Sequence, residues 1–415
     1  MKNSAGTPSA INENTIQWAV VISCLVVFTG FVCSRALASI GMAGMVVSTL
    51  LFYRVDTLKK YVKQPGLMVI SLFFLIVFFS GLYSTDKTLW LNWIRIKVPY
   101  LVLPLAFAPL KRFSEKQFAV LLTGFALIMF CSALVVLGNY CLHYAQITEA
   151  FTRGSTIPMP YSHIRYTLML AFSFFCVLYL FSEGLYVFNE KEKWLQAVLA
   201  VFAFIALHIL SVRSALLALY LGIFFMLLRY IVLQKRYVTG LVLLVLLTGT
   251  PFVAVKWVPS LHNKYAYMDY DLGEYRQGVV GQNSDGLRLV SMKVGIKLWL
   301  QHPVIGIGAG DIKTETGKIY DALYPQIEET TRRLPHNQFI WVLATTGMIG
   351  FAGFMLAFIY PFFVNGNYRW WLFAVFYMVV FSSFFTEDTL EEQIGTGFYL
   401  IFLLVFMNYK QADGP

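Results

Sequence analysis

Charge is scarce in this chain. Asp, Glu, Lys and Arg make up 13% of its 415 residues, against 58% hydrophobic residues and a mean hydropathy of +0.66. Soluble domains carry about a quarter charged residues, so this balance argues against Rossmann and TIM-barrel enzymes and against disordered chains. Cysteine is sparse too. Cys24, Cys33, Cys131, Cys141 and Cys176 fall in or beside apolar runs, with no CxxC and no paired spacing, so neither a disulfide framework nor a zinc site follows. The net charge of +10 is a poor argument for nucleic acid, because the 32 basic residues are dispersed among apolar spans and form no basic stripe.

What the chain has in abundance is long apolar runs. They fall at 17–34, 37–54, 67–84, 97–110, 118–141, 164–182, 195–211, 214–233, 238–258, 338–363, 370–385 and 396–408. The expected fold class is an all-α polytopic membrane protein of about twelve transmembrane helices. It divides into nine spans over 1–258, one large extracytoplasmic loop over 259–336 that itself contains helices, and three spans over 337–415. The first run has no small-residue cleavage site and is followed at once by a second, so it is expected to remain as a helix.

Lys and Arg sort the connections. Arg54, Lys59, Lys60 and Lys63 follow the second run, Lys111, Arg112 and Lys116 the fourth, and Lys191 and Lys193 the sixth. Arg229, Lys235 and Arg236 follow the eighth, Arg369 the tenth, and Lys2 and Lys410 mark the tails. By the positive-inside rule both termini are cytoplasmic, and the opposite face receives 84–96, 143–162, Arg213, the large loop and TEDTLEEQ at 386–393.

Candidate chemistry gathers on that opposite face. In LPHNQFIWVLATTGMIG, His336 and Asn337 open a span, while Gly347 and Gly350 would let a neighbouring helix approach. His336 is placed to exchange protons or merely to anchor the helix. In LSVRSALLALYLG, Arg213 occupies a short turn between two spans, where its planar fork suits a phosphate; snorkelling to headgroups is the alternative. LRLVSMKVGIKLWL at 287–300 reads as a helix, with Arg288, Met292, Gly295 and Trp299 on the stripe facing the bundle and Lys293 and Lys297 opposite. The glycines of the following HPVIGIGAG read as backbone shaping.

The remaining groups have weaker patterns. His163 and Arg165, preceded by Arg153, open another span; taken singly, snorkelling suits them better, as it does Arg95, Lys97, Arg332 and Arg333. Glu387, Asp388, Glu391 and Glu392 read as a solvated acidic cap, so no metal and no cofactor is expected. Arg213, Arg288 and His336, with little acid near them in sequence, suggest an anion site beside a base. A pyrophosphate lipid fits: the arginines would neutralise the leaving diphosphate and the neutral imidazole would accept a hydroxyl proton.

At this point the residues resemble those of the O-antigen ligase family and its polymerase relatives. The match rests on His336-Asn337, nine intervening residues and then Gly347-Met-Ile-Gly350, with the SVRS turn at Arg213, the Arg288 helix and HPVIGIGAG in support. The resemblance implies a metal-independent inverting glycosyltransferase of the bacterial inner membrane. Its partners would be an undecaprenyl-diphosphate-linked glycan donor, a lipid A-core acceptor and membrane lipids, with no nucleic acid and the active site facing the periplasm. Arg213 and Arg288 would bind the donor diphosphate and His336 would activate the acceptor hydroxyl. Arg165, Arg333, His163 and Asn337 stand as secondary candidates. O-antigen polymerase and protein O-oligosaccharyltransferase remain alternatives within the superfamily, and a glycolipid flippase or transporter one outside it.

Overall fold

The computed structural model describes residues 13–50, 57–151, 155–277 and 285–409; Lys2, Arg54, Arg153 and Lys410 lie outside them. Among the described residues the chain is all helical. The helices are α1 (Glu13–Cys33), α2 (Arg35–Leu50), α3 (Thr57–Val62), α4 (Pro65–Ile70), α5 (Leu72–Ser80), α6 (Lys87–Lys97), α7 (Pro99–Phe107), α8 (Glu115–Leu142), α9 (Tyr144–Phe151) and α10 (His163–Glu183). They continue as α11 (Glu192–Leu210), α12 (Arg213–Gln234), α13 (Tyr237–Trp257), α14 (Pro259–Arg276), α15 (Asp285–Gln301), α16 (Ile312–Leu323), α17 (Gln338–Phe363), α18 (Trp371–Phe384) and α19 (Gln393–Tyr409).

Among the described residues seven helices are long and apolar enough to cross a membrane: α1, α8, α10, α11, α12, α13 and α17 with its short extension. Four shorter apolar stretches accompany them, at Arg35–Thr49, Pro65–Ser80, Trp371–Phe384 and Gln393–Tyr409. The short run at 97–110 forms only the nine-residue α7, which contains Pro104.

A helix that is apolar all round belongs in the middle of a bundle. α10 and α19 are buried on nearly every face, and they meet in an aromatic core of Phe28, Phe125, Phe172, Phe376, Phe398, Phe402 and Phe406. By contrast α13, equally apolar, is almost wholly exposed, as a lipid-facing helix would be.

Two ends of the bundle can be told apart. At one, Gln17 donates to the carbonyls of Lys111 and Arg112, Asn408 Oδ1 accepts from Phe113 N, and Arg229 Nη1 donates to the Arg369 carbonyl. Much of the basic connection set therefore shares one end. The other end holds the starts of α10, α12 and α17, and the large loop folds over it.

The loop is held there by backbone chemistry. Inside α17, Gly347 adopts φ +61° and ψ −165°, which breaks the helix. The HPVIGIGAG turn fills the break: Ile307 N and Gly308 N donate to the Ala344 and Thr345 carbonyls at 3.0 and 2.8 Å, and Met348 N and Ile349 N donate to those of Pro303 and Val304 at 2.9 and 3.2 Å. A Cβ on Gly347 would lie 2.3 Å from the Val304 carbonyl, so this glycine serves a backbone break rather than helix–helix approach. The glycines of the turn shape backbone as the sequence suggests, with Gly306 and Gly308 at positive φ. Asp311 pins the loop again, accepting from Thr85 N, Thr85 Oγ1 and Asp86 N at 2.6 to 3.0 Å.

Candidate active site

α15 buries Leu287, Val290, Val294 and Leu298 in a small apolar core with Ile312, Ile319 and Tyr320 of the loop and Ala344 of α17. This is not the expected stripe, of which Gly295 alone is buried while Arg288 and Met292 line the cavity; Lys293 and Lys297 face outward as expected. Gly295 lies in the contact with α17, where a Cβ would come within 2.7 Å of Ile340 and Pro335. That close seating brings Ser291 Oγ to 3.3 Å from His336 N. Asn337 caps α17, its Oδ1 accepting from Phe339 N and Ile340 N, and its Nδ2 donates to the Phe385 carbonyl. Asn337 thus orients the helix mouth and does not itself face the cavity.

A cavity of about 710 Å³ opens at this end, lined by residues that include His163, Arg213, Lys264, Arg288 and Arg333. Such a volume suits a sizeable organic ligand. Ser211, in left-handed conformation at φ +58°, ends α11 and turns the chain so that Arg213 starts α12 at the cavity wall. Lys264 comes from α14, and burial together with Arg213 and Arg288 pushes its ammonium down to about 8.

His336 lies just behind this wall. Arg333 Nη1 stands 3.3 Å from His336 Nε2. Arginine can only donate, so Nε2 is the acceptor and the ring proton is assigned to Nδ1. Nδ1 looks the other way, toward Glu387 Oε1 at 3.7 Å and Asp388 Oδ1 at 4.0 Å, beyond hydrogen-bond length. Burial beside Arg288, Arg333 and Arg165 drives the imidazole down to about 3, so it is neutral at physiological pH.

Three sequence expectations are corrected here. First, the acidic segment is no solvated cap: Glu387 and Glu391 are buried, at 5% and 2% exposure. Second, Arg165 does not snorkel and does not line the large cavity. It is buried among Glu387, Asp388 and Glu392, with N···O distances of 2.9, 3.2 and 3.1 Å. One guanidinium cannot neutralise three carboxylates, and burial together with Glu387 pushes Asp388 well above the usual carboxylate range. Third, the cations have acid close by. Arg213 Nη2 is 2.6 and 2.7 Å from the two Asp285 oxygens, and Arg288 Nη1 is 3.6 Å from Asp285 Oδ1.

Lys97 likewise leaves the headgroup role. It is buried, pairing with Glu391 Oε1 at 2.9 Å and donating to the Leu390 carbonyl at 2.7 Å. Gln338, next to the His336-Asn337 pair, donates to the same Glu391 oxygen at 2.7 Å and accepts from Leu390 N at 2.8 Å. Together they clamp the acidic segment against the start of α17. Arg332 pairs with Asp321 at 2.7 Å, and Arg95 stays exposed near Asn92.

His336, Glu387 and Asp388 present ligand atoms within 4.8 Å of one another. A divalent cation there would compete with Arg165 for both carboxylates and lie beside Arg288 and Arg333, so the local field favours protons and anions.

Lys264, Asp285 and Glu387 are the members that sequence reading missed. Lys264, Tyr267, Met268 and Asp271 recur at i, i+3, i+4 and i+7, a helical stripe visible in the sequence. Asp285 lies 72 residues from Arg213, and only the fold joins them.

The site thus sets a group of cations beside a neutral imidazole. The comparison with curated proteins returns no match. Residues 198–355, a stretch that includes Arg213, Arg288, Arg333 and His336, match the family model described as O-Antigen ligase, which supports the resemblance read from the sequence.

Proposed function

We propose that the chain is an inverting glycosyltransferase that moves a glycan from undecaprenyl diphosphate to the lipid A-core. It would sit in the bacterial inner membrane, with about twelve spans, both termini cytoplasmic and the cavity facing the periplasm. The observation that carries this reading is the cavity itself: Arg213, Lys264, Arg288 and Arg333 line it with Asp285 as their carboxylate, and a neutral His336 lies behind Arg333.

In this account Arg213 and Arg288 bind the donor diphosphate, and Arg333 swings from His336 Nε2 to the same anion. The freed Nε2 then accepts the acceptor hydroxyl proton as that oxygen attacks the anomeric carbon. The carbon–oxygen bond to the diphosphate breaks on the opposite face, its electron pair leaves with the diphosphate, and the anomeric centre inverts. The arginines take up the developing charge. Glu387 faces Nδ1 and stabilises the imidazolium, while Arg165 holds Glu387 in place. No step calls on a metal ion.

The test is the lipopolysaccharide pattern of a strain lacking the gene, complemented with wild type or with His336→Ala. Loss of every O-antigen band with lipid-linked polymer accumulating, restored by wild type alone, is the expected result. Core bearing a single repeat would mean a polymerase. An unchanged pattern would point to another glycan acceptor, protein included, or to transport.

A further inference from the structure

Asp285 has no part in this mechanism. Its two oxygens lie on one nitrogen of Arg213, and one of them faces Arg288 at 3.6 Å. It thus occupies, inside the cavity, N–H groups that a diphosphate would take. The opening turn of α15 receives a different carboxylate, Asp271 Oδ2 at 3.0 Å from Gly286 N.

We propose that Asp285 is a built-in competitor for the arginine pair, whose work is to release the spent diphosphate. The inference rests on the donor reading of the cavity. A glycan-bearing lipid diphosphate carries two negative charges, and cleavage leaves a third on the departing oxygen. The product is therefore held more tightly than the donor by the same arginines, and turnover would stall on it. A tethered carboxylate, always present at high effective concentration, displaces it.

Asp285→Asn removes the charge and keeps the shape. Asp285→Ser, also well tolerated at a helix start, guards against a folding defect in the first variant. The probe is farnesyl diphosphate, titrated as an inhibitor and as a ligand of the purified full-length protein. Both variants are expected to bind it about fivefold tighter, the scale of a partly exposed charge pair. kcat should fall as release slows and the donor KM should fall further, so that kcat/KM rises by up to about the same fivefold.

Unchanged or weaker farnesyl diphosphate binding in the two variants, with Arg213→Ala still weakening it, would overturn the role of Asp285 alone. A fall in kcat/KM at constant KM would also overturn it, since that marks a merely structural residue. Equal binding by wild type and Arg213→Ala would overturn the donor reading, and the role of Asp285 with it.

Discussion

A lysine at position 213 would keep the charge of Arg213 and lose its planar fork, of which one nitrogen here holds both Asp285 oxygens. Donor binding by Arg213→Lys should therefore resemble that of Arg213→Ala more than that of wild type. Wild-type affinity in the lysine variant, measured with a lipid diphosphate, would reduce the site to a point charge. His336 supports a prediction about pH. Its imidazole, ordinarily near 6.5, is held down to about 3 by burial and neighbouring arginines, so in the free protein it is a neutral base with no limb in kcat/KM near 6.5. A bound diphosphate offsets those arginines and raises the imidazole, so the acid limb of kcat should lie at higher pH than that of kcat/KM. Coincident limbs near 6.5 in both profiles would contradict this arrangement. At this scale the sequence showed Arg213, Arg288 and His336 by residue type and by place at helix mouths. It hid their partners, because Glu387 and Asp285 look like ordinary loop acids until burial gives them guanidiniums.

Among the elements, two devices hold the site. The Lys97–Glu391 pair, buried at both partners, ties the acidic segment to the start of α17 through Gln338. Removing one partner strands the other charge, so Lys97→Met should cost about 3–5 kcal/mol in thermal or denaturant unfolding. Lys97→Met with Glu391→Gln should recover much of that loss. A double variant as unstable as the single one would mean that the pair matters for packing rather than charge. The second device is the break in α17. Gly347→Ala places a side chain at positive φ against the Val304 carbonyl, and a loss of about 1–3 kcal/mol is expected from the strain alone. Unaltered melting would show that the turn at 303–308 does not need this geometry. The sequence pattern HPVIGIGAG was legible as a shaped turn, yet its docking into a distant helix could not be read, since backbone hydrogen bonds between separate segments leave no periodicity.

For the whole molecule, hydropathy was the strongest signal. Among the described residues the apolar runs are largely helical, seven of the helices being long enough to cross a membrane, and the basic connections Lys111, Arg112, Arg229 and Arg369 share one end of the bundle while the cavity opens at the other. What hydropathy could not supply is the rank of a cation. Arg165, Lys97 and Arg213 all read as boundary charges, and burial separates them into an ion-pair core, a clamp and a cavity wall.

The most direct test of the account is reconstituted transfer from a polyprenyl-diphosphate-linked glycan to lipid A-core by the purified protein, with donor binding measured on the same samples. His336→Ala is predicted to bind donor as wild type does and to lose transfer by on the order of 10²- to 10⁴-fold, while Arg213→Ala loses binding. Transfer at the wild-type rate in His336→Ala, or donor binding indifferent to Arg213, would contradict the account.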